Sequence, residues 1–255
     1  MSFIPLRKQL WAIGSILLAL PMYCWLQWQP KAWFDEQLAA QPMHVGLHYE
    51  TLQKSFPGLL LSRVRINTPG IDTLRVDALL LRPAFLSLLS GGTALFVHAE
   101  GNGMSAESVI DLEGSRLSLS DVAVQTSAAS LSRLDPRLLL LGLQGNLKLQ
   151  GHMQLQAVDG LPLNGDMTLV WNNPSSTLLP SGMHQLRLTL TSTDMQSGSM
   201  WIWKLASQPD DILGRGTIMG EGPDIRQWLL SGSLRTARDS PDLILSGSLG
   251  ALHWQ

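Results

Sequence analysis

"GNLKLQGHMQLQ", residues 145–156, alternates apolar and polar residues with a period of two. Leu147, Leu149, Met153 and Leu155 take the odd positions with Gly151 among them, while Asn146, Lys148, Gln150, His152, Gln154 and Gln156 take the even ones. Side chains point to opposite faces in turn along a strand, so the stretch predicts a β-strand with one apolar and one wetted face. Such two-faced strands belong to antiparallel sheets, because parallel strands are covered on both sides and read as continuous Val/Ile/Leu runs.

The same period recurs on either side. "GDMTLVW" sets Met167, Leu169 and Trp171 together, and "QLRLTLT" does so with Leu186, Leu188 and Leu190. Upstream, "RVRI" puts Val64 and Ile66 against Arg63 and Arg65. "LRVDALLL" puts Leu74, Val76, Ala78 and Leu80 against Arg75 and Asp77. "ALFVHAE" and "SVIDLEG" follow, and "SRLSLSDVAVQT" begins on Leu117 and Leu119 before changing face to Val122 and Val124. One extra residue there makes a β-bulge, with Asp121 at the bend. "SMWIWKL", "GRGTIMG", "QWLLSGSL" and "DLILSGSL" complete the series. Turn chemistry such as "GNG", "NNPSS", "PSG" and "SQPDD" separates the strands. About seven strands precede "SLSRLDPRLLLLGL", a short helix or crossover, and six or seven follow it.

With little helix to cover it, the apolar face must curl on itself, pack on a second sheet or meet something apolar. The fold class is therefore mainly β, a curved, largely antiparallel sheet or sandwich with an apolar inner face, preceded by one transmembrane helix. Leu147, Leu149, Met153, Leu155, Met167, Leu169, Trp171, Leu186, Leu188 and Leu190 are the candidate apolar face. Leucine dominates where tightly packed strands favour Val and Ile. A plain core and a lipid-holding groove both fit that composition.

From Gln9 to Pro30 no Asp, Glu, Lys or Arg occurs. About twenty helical residues span the hydrocarbon thickness of a bilayer. Trp11, Ile16, Leu18, Pro21, Trp25 and Trp28 mark this anchor, its tryptophans at headgroup depth. Arg7 and Lys8 precede it, which sets the N-terminus in the cytoplasm and the bulk of the chain outside the inner membrane. A cleaved signal peptide is the competing reading, but the small-residue cleavage pattern is missing from "LPMYCWLQWQ". The domain plan is a cytoplasmic N-terminus at 1–8, an anchor at 9–30, a short amphipathic connector at 31–44 and a periplasmic β-rich domain at 45–255, with a sub-boundary near 135. In the connector, Trp33, Phe34, Leu38 and Ala39 share one helical face.

The chain has 255 residues, 15% of them charged, and a formal net charge of −2. Its basic residues form no run, so nucleic-acid binding has no electrostatic footprint. The single cysteine, Cys24, excludes an intramolecular disulfide and a multi-cysteine zinc site. His44 and His48 are four apart, but no carboxylate has metalloprotease spacing and Gly46 weakens a helix there. His98, His152, His184 and His253 stand isolated in the sequence, and Asp210 and Asp211 fall in a turn. Ser90 and Ser248 lack the nucleophile-elbow pattern. "GRGTIMGEG" misses the dinucleotide spacing and reads as a pair of bends. The expectation is a protein that is not an enzyme, with no catalytic residues, cofactor or metal.

One anchor, then "VDALLLRPAFLSLLSGGTALFVHAEG", then Gly- and Leu-rich strands and a late "LSGSLR…DLILSGSLGAL" resembles the protein N family of the bacterial type II secretion system. The resemblance rests on Leu81, Arg82, Pro83, Leu86, Leu88, Leu89 and Gly91, and on Gly-x-Leu-x-Leu strands at 145–149 and, with Met, at 165–169. It implies a single-pass inner-membrane accessory of secretion without catalysis, whose periplasmic domain meets other inner-membrane or secretin subunits. The family is similar to the wider AsmA-like group, whose curved sheets form lipid-lined grooves. That implies the alternative, a lipid-binding or lipid-transfer protein with phospholipid as partner.

Overall fold

The computed structural model describes residues 30–40, 46–68, 71–84, 94–113, 116–133, 136–156, 161–177, 179, 182–193, 199–209, 212–220, 227–236, 240–249 and 251–254. The anchor residues Trp11, Ile16, Leu18, Pro21, Trp25 and Trp28 lie outside them, as do His44, Asp210, Asp211 and the leucine-rich turn after Ala84. Among the described residues no helix is long and apolar enough to cross a membrane.

Among the described residues the α-helix α1 (Pro30–Ala40) belongs to a unit covering Met1–Gln41, and the sheet belongs to a second unit, Pro42–Gln255. Fifteen strands make that sheet: β1 (Gly46–His48), β2 (Thr51–Ser55), β3 (Gly58–Thr68), β4 (Ile71–Pro83), β5 (Leu95–Gly101), β6 (Met104–Glu113), β7 (Arg116–Ser127), β8 (Gln144–Gln156), β9 (Pro162–Ser175), β10 (Gln185–Thr193), β11 (Ser199–Gln208), β12 (Leu213–Gly220), β13 (Leu229–Arg235), β14 (Leu243–Ser248) and β15 (Ala251–Trp254). From β3 onward each strand pairs antiparallel with the next in sequence; β1 and β2 both pair with β3. The architecture is one open meander rather than a sandwich. Seven strands precede residue 135 and eight follow, and the ladder runs on from β7 to β8 across two 3-10 turns, Ala128–Arg133 and Pro136–Leu141.

Local chemistry sets the turns. Asn102 and Gly103 join β5 to β6 as a two-residue loop, both with positive φ (54° and 75°), the geometry that matches the twist of a hairpin. The Asn102 side chain also donates to the Arg75 carbonyl at 3.1 Å. Between β11 and β12, the buried Ser207 hydroxyl accepts from the Ile212 N–H at 2.8 Å and donates to the Pro209 carbonyl.

The bulge expected at Asp121 is present. Leu119 pairs with Met153 and Val122 with Gly151, so Ser120 and Asp121 stand against His152 alone, and Asp121 has φ 51°. A second change of face, on β3, leaves no mark in the alternation. Leu61 and Val64 are both almost fully buried although three residues apart, because Arg63 between them has φ 51°. On β4 the switch repeats: Val76 and Leu79 are the buried pair, so Ala78 and Leu80 do not continue the buried set begun by Val76. "GRGTIMG" forms β12, as its place in the series of strands predicts, whereas the bends expected within "GRGTIMGEG" do not fall at Gly214, Gly216 or Gly220, which all lie within the strand.

Candidate functional site

Residues directly opposed on antiparallel strands share a face, so register sorts the candidate residues into rows. Leu147 stands opposite Trp171, and Trp171 opposite Leu186. The next row runs Val124, Leu149, Leu169, Leu188 and Leu205 across five strands, β7 to β11. Beside it, Met167, Leu190 and Trp203 are successive partners. Met153 pairs with Leu119 and Gly165, and Leu155 with Leu117 and Pro162. The pairing thus brings all ten candidates into contiguous rows on β8, β9 and β10. The Trp171 indole N–H donates to the Gln144 carbonyl at 2.7 Å, so its one polar atom is satisfied at the end of the face.

Burial along this face is uneven. At β3 and β4 it is sealed, with Leu61 at 0% and Val64 at 1% exposure. Farther along, Met167, Trp201, Trp203 and Leu245 on their strands and Trp228 just before β13 are buried as well. In the row between Leu147 and Met167, Leu149, Leu169, Leu188 and Leu205 are only half-buried. Central residues of a sheet covered by a second layer would be closed off from solvent.

Glycines on β12 and β13 carry a packing role that a glycine motif in sequence does not disclose. The Trp203 indole crosses three of them: a Cβ would stand 2.8 Å from its Cζ3 at Gly214, 2.7 Å from Nε1 at Gly216 and 2.5 Å from Cζ2 at Gly232. Its N–H donates to the Ser231 carbonyl at 3.3 Å. Trp228 lies against Gly220 in the same manner. The sequence signal is glycine at every second position of a strand, opposite tryptophan.

On the opposite, wetted face, two histidines that look isolated in sequence acquire neighbours by register. His98 sits between Glu100, 3.0 Å from Nε2, and Glu107, 3.0 Å from Nδ1. The Nδ1 contact has the distance of an ion pair but poor hydrogen-bond alignment, so the Glu100 contact is the better bond. His152 lies 3.8 Å from Asp166. The two carboxylates near His98 approach different ring nitrogens and do not converge on one point. Among the described residues no three His, Cys, Asp or Glu side chains are placed to hold a metal. His48 stands exposed on β1, and His184 stands exposed just before β10.

These features define a class, the open antiparallel sheet with one apolar and one polar face. No family model, curated protein or solved structure matches the chain.

Proposed function

We propose that this chain is a non-catalytic accessory component of the type II secretion system, tethered in the inner membrane by residues 9–30, whose periplasmic sheet meets other inner-membrane or secretin subunits during export of folded proteins. The observation that carries the reading is the long polar face of a single ladder. On β5 to β10 it exposes Glu100, Glu107, Gln125, Gln150, Asp166 and Arg187 in an ordered array. A rigid lattice of that kind supplies positions for side-chain recognition without the reorganisation that weakens binding by loops. The "LLLRP" junction also fits: Leu81 and Arg82 close β4 opposite Val97 and Phe96, and the strand returns as β5. The test is chemical cross-linking of a C-terminally tagged copy in growing cells, followed by mass spectrometry. Enrichment of secretion-platform or secretin subunits over abundant membrane proteins is expected. Their absence alongside lipid-transport components overturns the reading.

The half-buried row Leu149–Leu169–Leu188–Leu205 favours a second reading, an apolar trough that accepts the acyl chains of a phospholipid. Native mass spectrometry of the full chain released from detergent tests it. Bound phospholipid that disappears in a Leu169→Asp, Leu188→Asp variant supports a trough; lipid retained equally by both sinks it.

A further inference from the structure

The wetted face of β11 to β14 departs from the mixed charge pattern of the earlier strands. Register sets Lys204 directly opposite Arg215, two like charges where cross-strand neighbours repel. Both are exposed, and neither has an ion-pair partner among the described residues; Arg235 nearby holds Asp242 at 2.8 Å. The four strands contain no Asp or Glu at all. Large apolar side chains also stand open to solvent on this face. Met219 and Leu229 are directly opposed and 49% and 57% exposed, and Ile244, 60% exposed, is opposite Ser233, the next residue in the Lys204–Arg215 row.

That composition selects among partners. Protein interfaces concentrate aromatic anchors in a desolvated centre and deplete lysine. Here Trp201 and Trp203 are buried on the other face, and the exposed aliphatics are separated by the polar row Thr217, Ser231 and Ser246 rather than gathered into one patch. Unpaired cations interleaved with exposed aliphatics match the boundary of an anionic bilayer, where cations meet phosphates and aliphatics enter the acyl margin.

We propose that the polar face of β11–β14 is a docking surface for an anionic phospholipid membrane, with Lys204 and Arg215 as its electrostatic contacts and Met219, Leu229 and Ile244 as its shallow apolar ones. The inference is independent of the secretion reading, since it concerns a different part of the face and a different partner.

The test uses the full chain with Cys24→Ser and a single probe site, Ser246→Cys, carrying an environment-sensitive fluorophore. The chain is reconstituted in phosphatidylcholine vesicles with or without phosphatidylglycerol, each containing brominated lipid as quencher. Quenching at residue 246 is expected only with phosphatidylglycerol, and it is reversed by high salt. Each of Lys204→Gln and Arg215→Gln should lower the contact equilibrium about fivefold, the loss of one cation near a charged surface. A probe at Gln125→Cys, on the polar face of β7, should stay unquenched in all vesicles. Equal quenching in neutral and anionic vesicles overturns the proposal. A response to polyglutamate but not to vesicles also overturns it and assigns the face to an acidic protein.

Discussion

The indole of Trp203 lies over Gly216, its directly opposed partner on β12, so closely that a Cβ on the glycine would stand 2.7 Å from Nε1. The glycine makes room for the tryptophan, and the tryptophan covers the backbone that the glycine leaves bare. Gly216→Ala must therefore displace either the ring or the β13 backbone, which is also within reach of the added carbon. Overpacking of this kind costs roughly 1–3 kcal/mol, and Trp203→Ala, which empties the site, about 3–5 kcal/mol. At about 2–4 °C per kcal/mol for a domain of this size, thermal unfolding should fall visibly in both and furthest in Trp203→Ala.

Leu61 and Leu169 lie on the apolar face with different surroundings, one fully buried and one half-buried. Leu61→Ala should cost about 3–5 kcal/mol, within the range for large-to-small changes in a sealed core. Leu169→Ala should cost about half as much, in proportion to the area removed from water. Denaturant titration of the two variants measures the difference, and equal losses would place Leu169 in an equally closed core.

Asp121 holds a left-handed backbone at the β7 bulge. A short polar side chain tolerates that conformation and a β-branched one does not. Asp121→Val should lose about 1–2 kcal/mol and Asp121→Gly almost none. Chemical denaturation read by tryptophan fluorescence distinguishes them.

Lys204 and Arg215 oppose each other without a carboxylate to relieve them among the described residues. Arg215→Glu converts repulsion into attraction and should raise stability by a few tenths of a kcal/mol, up to about 1, the range for exposed charge pairs. Added salt should stabilise the parent chain slightly and narrow its gap from the variant. Melting curves at low and high sodium chloride concentration check both effects.

Much of the fold is legible in the period of two, because a strand with one wetted face leaves its alternation in the sequence. The Asp121 bulge is legible for the same reason: Leu117 and Leu119 are out of phase with Val122 and Val124. The change of face near Arg63 is not. Leu79, Leu80 and Leu81 are all apolar, so the pattern on β4 fits either phase, and only the backbone at Arg63 selects one. Glycines 214, 216 and 220 look like bends because the rings that need their space belong to Trp203, on β11, and to Trp228, just before β13. Likewise His98 meets Glu107 only through the β5–β6 register, which no local motif encodes. The alternation places the apolar residues of β8, β9 and β10 in shared rows. It does not mark how far each row is closed, since that depends on what lies across the face.

The most direct measurement places a photo-cross-linking amino acid at Gln150, on the exposed polar face of β8, and separately at its apolar-face neighbour Leu149, in the full chain expressed at its natural level. Capture of secretion-platform or secretin subunits from residue 150, but not from residue 149, is the predicted result. Failure to capture any secretion subunit from residue 150, or from Gln125 and Arg187 on the same face, would contradict the assignment to type II secretion.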